Sequence, residues 1–146
     1  MSDTDMASAS AWQQIHNVIT GGAHAQDGHD WVRYGETFAV DARYVHPKGE
    51  LEGRDAIVDR SRKALTPLDA SQHLVGSVVI DIDGDTAHAV SYFVGQHVRA
   101  DAPGASLFVI AGTYDDQFER RDGRWQIAVR TQSYSWRDGN PDVIVR

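Results

Sequence analysis

The sequence predicts a single α+β domain, and three observations predict it. Helix-period patterns occupy the N-terminal part of the chain, strand patterns and tight-turn signals occupy the rest, and little alternation between the two is visible. At 146 residues with 41% hydrophobic content the chain is long enough to bury one core. Its most strand-like stretch runs from Gly112 to Arg130. Thr113, Tyr114, Phe118, Trp125, Ile127 and Val129 supply β-branched and aromatic side chains, and Asp122-Gly123 between the two runs is a hairpin-turn pair. The second run alternates, so Trp125, Ile127 and Val129 are expected on one face and Gln126, Ala128 and Arg130 on the other, where a strongly curved sheet would line a cavity.

In chain order, residues 1–9 are small and polar and are expected to be an unstructured tail, without the basic and apolar regions of a secretion signal. Ser10-Ala11-Trp12-Gln13 fits a capping box. It would start a helix over Ala11–Ala25 with Trp12, Ile15, Val18, Ile19 and Gly22 on one stripe. Asp30, after a turn at Asp27-Gly28-His29, caps a second helix reaching about Phe38. Two short strands, Ala42–Pro47 and Glu50–Leu51, flank Pro47-Lys48-Gly49. A third helix starts at Gly53-Arg54-Asp55, turns Ile57, Val58, Ser61, Ala64 and Leu65 inward, and stops near Pro67. Four long strands follow, at about 71–83, 86–99, 106–120 and 124–136, with a tight turn at Asp83-Gly84-Asp85 and a looser loop at 101–104. The folded domain is thus expected over 10–137, and residues 138–146 form a tail. Its Val143-Ile144-Val145 either docks on a neighbouring subunit or covers a cavity mouth.

Composition excludes several functions. A net charge of −7 argues against a nucleic-acid or anionic membrane surface. The absence of cysteine removes disulfides and thiolate chemistry and fits a cytoplasmic location. No run reaches the roughly 18 apolar residues of a membrane span. No Gly-rich phosphate loop and no Gly-x-Ser-x-Gly elbow occurs. The seven histidines show no His-x-x-x-His spacing, so neither metal nor cofactor is expected.

The order of Asp27-Gly-His-Asp30, Phe38-Ala-Val-Asp41, Leu51-Glu-Gly-Arg-Asp-Ala-Ile57, Gln72-His73 and Gly112-Thr-Tyr114 through Trp125 resembles the nuclear transport factor 2-like, or SnoaL-like, superfamily over about residues 10–136. The nearest branch holds scytalone dehydratase, hexachlorocyclohexane dehydrochlorinase and bile acid 7α-dehydratase. The resemblance implies a cone: helices closing one side of a strongly curved mixed or antiparallel sheet around an apolar pocket. It also implies a homo-oligomer, trimer or dimer, with a sheet face buried between subunits.

Residue by residue, the resemblance places Asp27 and His73 as a dyad, in which a carboxylate holds one imidazole nitrogen and the other abstracts a proton. Each residue alone also fits a structural role, as a helix-terminal carboxylate and a strand histidine. His97 matches a second pocket histidine, with Phe93 and Gly95 on its face shaping the cavity. Its alternative is an edge histidine. His46 falls where scytalone dehydratase has a pocket tyrosine, and its alternative is a loop histidine before Pro47. His24 lies one helical turn before Asp27 and faces either the cavity or solvent. Arg130 matches a pocket arginine that would bind a leaving group or carboxylate, or else is a solvated sheet residue. Tyr114 and Tyr134 are further pocket candidates. One departure stands out: Gly22 replaces the Lys or Tyr that the branch often carries, which removes a donor and leaves room. The expected function is a cofactor-independent dehydratase acting on a small hydrophobic cyclic or carbonyl-activated molecule. His97, Arg130 or His46 would supply the polarising or protonating group. The alternatives are an isomerase or cyclase in the same pocket, or a non-catalytic binding domain.

Overall fold

The computed structural model describes residues 2–145. Met1 and Arg146, the outermost residues of the two expected tails, lie outside the described residues. The elements are α1 (Asp3–Asp27), α2 (Trp31–Glu36), β1 (Phe38–His46), β2 (Gly49–Glu52), α3 (Arg54–Leu65), β3 (Ala70–Asp83), β4 (Thr86–Val98), β5 (Leu107–Arg121), β6 (Arg124–Gly139) and a 3-10 turn at Pro141–Val143. The strands form one six-stranded sheet in the order β2-β1-β6-β5-β4-β3. The β1–β6 pair is parallel and the other pairs are antiparallel. The sheet curls around the helices without closing, so β2 and β3 remain as edges. Among the described residues no helix is long and apolar enough to cross a membrane.

Helix α1 begins earlier than its internal Ser10 suggested. Ser2 is the cap: its hydroxyl accepts from the Asp5 N–H at 3.1 Å while the Asp5 carboxylate accepts from the Ser2 N–H at 3.1 Å. That reciprocal pair starts the helix at Asp3, so the stretch expected to be unstructured is helical. The buried stripe is Ala11, Ile15, Ile19, Gly22 and Ala25. Trp12 is turned to the outer side, 40% exposed and stacked on His16. Asp30 caps α2 as its position implied, accepting from the Arg33 N–H at 3.1 Å. The main core joins Ile15 and Ile19 of α1, Tyr34 of α2 and Ile57 of α3 to Phe38, Phe118, Trp125 and Ile127 of the sheet.

Three β-bulges decide which side chains face inward. In β6, Val129 pairs with Gln117 but Ile127 pairs with Phe118, which leaves Ala128 as the extra residue. The alternation therefore changes phase. Arg130, Gln132 and Tyr134 join Trp125 and Ile127 on the inner side, whereas simple alternation had put Arg130 opposite them. A second bulge, with Tyr134 opposite Gly112 and Trp136 opposite Ala111, shifts the phase again and brings Arg137 inward. The third is in β3, where Ser77 takes a positive φ of 50° and the pairing slips between Gly76 and Val79. The hairpin turn between β5 and β6 has positive φ at both Asp122 (52°) and Gly123 (75°), the geometry that follows the twist of paired strands.

The C-terminal segment is fastened to its own chain. Val143 is fully buried in a second core with Leu65, Leu68, Ala102 and Phe108. The Arg99 guanidinium donates to the Val143 carbonyl at 2.9 Å and the Asp142 carbonyl at 2.5 Å. Pro141 and Ile144 of this segment form part of a cavity wall. The outer face of the sheet leaves Leu74, Tyr92 and Trp136 more than half exposed.

The second bulge depends on Gly112: a Cβ there would stand 1.9 Å from the Ser133 carbonyl oxygen. Backbone cannot give way as a flexible side chain can. Gly112→Ala should therefore cost at least about 3 kcal/mol of folding free energy in urea denaturation. A loss under about 1 kcal/mol would show that β6 does not approach β5 this closely.

Candidate active site

The helices, the inner sheet face and the C-terminal segment enclose a cavity of about 160 Å³. That is close to the ~150 Å³ which accommodates one benzene ring in an engineered protein cavity. Leu51, Ile57, Leu65, Phe108, Ile110 and Ile144 give it apolar walls. Its polar groups sit on two flanks of the sheet, β3/β4 and β1/β6.

On the β3/β4 flank, Asp27 at the end of α1 reaches edge strand β3. It accepts from the Ser71 hydroxyl at 3.0 Å, the His73 N–H at 2.8 Å and the His73 ring Nδ1 at 2.7 Å. Burial opposes the charged carboxylate, but the three donors outweigh it and hold Asp27 below the usual carboxylate range. An ionised carboxylate only accepts, so Nδ1 of His73 carries the ring proton and Nε2 presents a lone pair. His73 is part of the cavity wall with a side chain only 7% exposed, while Asp27 stands behind it.

His97 lies beside His73, ring centroids 5.4 Å apart and nearly perpendicular. Its Nδ1 donates to the Phe108 carbonyl at 3.1 Å, since a carbonyl only accepts. Its Nε2 is therefore also a bare lone pair. Burial, then the neighbouring His73, lowers its pKa to about 4. Near neutrality the His97 ring is therefore neutral, with its one proton committed to the Phe108 carbonyl. Gly95 makes the pair possible. It is His73's cross-strand neighbour, and a Cβ there would lie 3.1 Å from both rings.

On the other flank His46 has the opposite tautomer. Its Nδ1 accepts from the Lys48 backbone N–H at 3.1 Å, so the ring proton sits on Nε2, which donates to the Tyr134 oxygen at 2.8 Å. Burial, with Arg60 and Lys48 nearby, lowers its pKa to about 4 and keeps the ring neutral. Because His46 fills the lone pair of Tyr134, the Tyr134 O–H is left to point away from it, and Tyr134 borders the cavity. Close by, the Tyr44 hydroxyl donates to Gln132 Oε1 at 2.6 Å.

The remaining candidates divide between the cavity wall, the layer behind it and the outer surface. Arg130 is buried, and its Nε and Nη2 donate to the two carboxylate oxygens of Asp116 at 2.7 and 2.8 Å, so its charge is already matched. Burial opposes its charge, yet Asp116 more than compensates and raises its pKa. It lies beneath Tyr114, its guanidinium carbon 4.0 Å from that ring, and it is not part of the wall. Tyr114 does face the cavity. Phe93 stacks on Tyr114 at 4.4 Å and supports the wall without forming it. His24 is exposed and borders an outer groove with Asp27 and Ser71, because the stripe that α1 turns inward runs through Gly22 and Ala25. Gly22 leaves no room: a Cβ there would meet the Thr37 side chain at 3.0 Å. Sequence reading missed Gln26, Tyr44, Arg60, Gln132 and Arg137, all of which line the cavity. Arg60 was findable as the neighbour, three residues on, of inward-facing Ile57 in α3. Gln132 and Arg137 follow only once the bulges are known. Among the described residues no group of three His, Asp or Glu side chains is placed to hold a metal ion.

The family model for the SnoaL-like domain matches residues 7–131. No curated protein matches the chain by sequence. Among solved structures, the hexachlorocyclohexane dehydrochlorinase LinA-type3 from Novosphingobium barchaimii superposes with a TM-score of 0.79 at 16% identity, covering 99% of each chain. A candidate scytalone dehydratase from Novosphingobium aromaticivorans gives 0.83 at 20%, covering 100% of this chain and 94% of its own. A Mycobacterium tuberculosis protein of unknown function gives 0.79 at 20%, covering 92% and 77%. At these identities the likeness establishes the nuclear transport factor 2-like fold.

Two predictions follow from the buried polar groups. In the unfolded chain His97 binds a proton below its ordinary value of 6.5, but in the folded chain only below about 4. Stability is therefore full above pH 6.5 and declines as pH falls from there to 4, by on the order of 3 kcal/mol for this residue. His46 acts in the same direction with less weight, being half-buried. Urea unfolding at several pH values should show this slope, and His97→Gln should flatten it; equal slopes would contradict the neutral ring. Asp116→Ala strands a buried guanidinium and should cost about 3–5 kcal/mol, read by the same denaturation.

Proposed function

The chain belongs to the SnoaL-like domain family, and we propose that its cavity is the active site of a cofactor-independent lyase that removes water from a small cyclic β-hydroxy carbonyl compound. The carrying observation is the fixed tautomer of His73: three hydrogen bonds hold Asp27 ionised, and Asp27 leaves Nε2 of His73 as a base at the cavity wall. His73 takes the proton from the carbon next to the carbonyl. The electron pair forms the C=C bond as the C–O bond to the β-hydroxyl breaks. The imidazolium, stabilised by Asp27, returns its proton to the departing oxygen, so water leaves and His73 is restored. His97, whose Nε2 only accepts, holds the hydroxyl beside His73 by accepting its O–H.

Charge develops on the carbonyl oxygen during proton removal. Tyr134, with its oxygen occupied by His46, donates its O–H to that oxygen from the opposite flank. Burial raises the Tyr134 pKa while Arg60 and Arg137 oppose the rise, so the hydroxyl stays protonated and polarised toward an enolate. The dehydrochlorinase and dehydratase names among the structural neighbours fit a pocket that begins with proton abstraction. An isomerase would use the same first step and return the proton to carbon.

Screening cyclic β-hydroxy ketones and acids for a new conjugated absorbance, with solvent deuterium uptake in parallel, separates these chemistries. Asp27→Asn should reduce turnover about 10³- to 10⁴-fold by releasing the tautomer, and Tyr134→Phe about 100-fold by removing the donor. Both should keep a native circular-dichroism spectrum. Deuterium uptake without loss of water would make the protein an isomerase. Activity unaffected by Asp27→Asn would remove His73 as the base.

A further inference from the structure

We propose that the substrate is an organic acid: a single-ring compound with a carboxylate held by Arg60, Arg137 and Lys48 on the β1/β6 flank while its reacting carbon meets His73. This rests on the cavity being the substrate site. The chain as a whole is acidic, with 21 Asp and Glu against 14 Lys and Arg. Its cavity wall reverses that balance. Three cationic side chains contribute to it, and among the described residues no Asp or Glu does.

Several arginines elsewhere are paired, and Arg33 and Arg124, without an ion-pair partner among the described residues, lie outside the cavity wall. Arg130 is paired with Asp116, Arg99 with Asp101 and the C-terminal carbonyls, and Arg43, Arg120 and Arg121 with surface carboxylates. Among the described residues no carboxylate lies within ion-pair distance of Arg60, Arg137 or Lys48. All three lie near the His46–Tyr134 pair. The Lys48 backbone N–H bonds His46, the Arg137 guanidinium lies 5.8 Å from the Tyr134 ring centroid, and Arg60 acts electrostatically on both His46 and Tyr134. Cations gathered beside two neutral hydrogen-bonding groups, with no internal counter-charge, form a site for an anion.

Sheet register sets the span. His73, Gly95, Ile110 and Arg137 are consecutive cross-strand partners over β3, β4, β5 and β6, one row across the curled sheet. Three inter-strand steps separate the end members by roughly 14 Å measured along the sheet, and by less across its concave side. Both His73 and Arg137 contribute to the wall of the cavity, whose volume of about 160 Å³ suits one ring.

Benzoate and its neutral isostere benzamide test this as ligands, with NMR shift perturbation of Ile110, Ile144 and Tyr134 as the readout. Benzoate should bind on the order of tenfold tighter than benzamide. Its advantage should shrink between about 20 mM and about 300 mM salt, because Lys48 and Arg137 are solvent-exposed and screened. Arg60→Gln, Arg137→Gln and Lys48→Gln should each reduce the preference, and together abolish it. Equal affinities, a preference that survives the triple substitution, or no cavity shifts with benzoate at millimolar concentration would overturn the proposal. The measurement is repeated in Asp27→Asn, where the preference should persist because anion binding needs no base. A retained preference in a protein that dehydrates nothing would sink the lyase reading alone. Dehydration confined to uncharged substrates would sink the anion site alone.

Discussion

The grip of Asp27 on strand β3 is the interaction on which the site depends. β3 is an edge strand, and an edge exposes unpaired N–H groups. Asp27 satisfies one of them, the His73 N–H, while also taking the Ser71 hydroxyl and the His73 ring. One carboxylate thereby docks the end of a 25-residue helix on the sheet and fixes which imidazole nitrogen is bare. Three donors make its partial burial tolerable. Removing any of them would weaken the helix attachment and the definition of the base together. One residue thus serves both the docking of α1 and the definition of the His73 tautomer.

Beneath the cavity the structure is layered, and each layer fixes the next. The Asp116–Arg130 pair lies on the Phe38 side of the core, with Arg130 5.7 Å from the Phe38 ring. Tyr114 rests on Arg130 from above, and Phe93 stacks against Tyr114. A buried ion pair is weak evidence for stability in itself. Here its geometric effect is clear: a planar, doubly bonded guanidinium forms a flat seat for an aromatic ring that borders the cavity. Gly95 and Gly112 contribute by what they lack. The first admits two imidazoles side by side, and the second allows the close strand approach at which β6 slips and brings Arg137 inward.

Much of the fold was legible in local sequence because its signals are local. The Asp122-Gly123 hairpin, the Asp30 cap and the inward positions Ile57 and Leu65 of α3 each follow from neighbouring residues and were found at their expected places. Asp27 and His73 were legible as a pair only through the family pattern, since 46 residues separate them and nothing nearby in sequence links the two. What escaped was phase. A β-bulge is not written in hydrophobic periodicity, and Ala128 looks like any strand alanine. The register slip it causes moved Arg130 to the core and hid Gln132. The next slip hid Arg137. The start of α1 was misplaced for another reason: two Ser-x-x-acceptor boxes compete, Ser2 to Asp5 and Ser10 to Gln13, and helix propagation favours the outer one once the intervening residues can be helical.

The two flanks of the cavity differ in the direction of their protons, and this polarity decides what chemistry the site supports. On the β3/β4 flank both histidines donate through Nδ1 and leave Nε2 empty, one to a carboxylate and one to a carbonyl. On the β1/β6 flank the Lys48 N–H occupies Nδ1 of His46, which pushes the proton to Nε2 and through it frees the Tyr134 hydroxyl to donate. Neither His97 nor His46 is protonated near neutrality, each being held near 4 by burial first and neighbouring groups second. In the elimination we propose, a proton removed from substrate has one residence, Nε2 of His73, where Asp27 supplies the counter-charge. Base and acid would then be one residue acting twice, which requires the leaving oxygen on the same side of the substrate as the proton removed. Fixed tautomers, rather than a second titrating acid, give the site its direction.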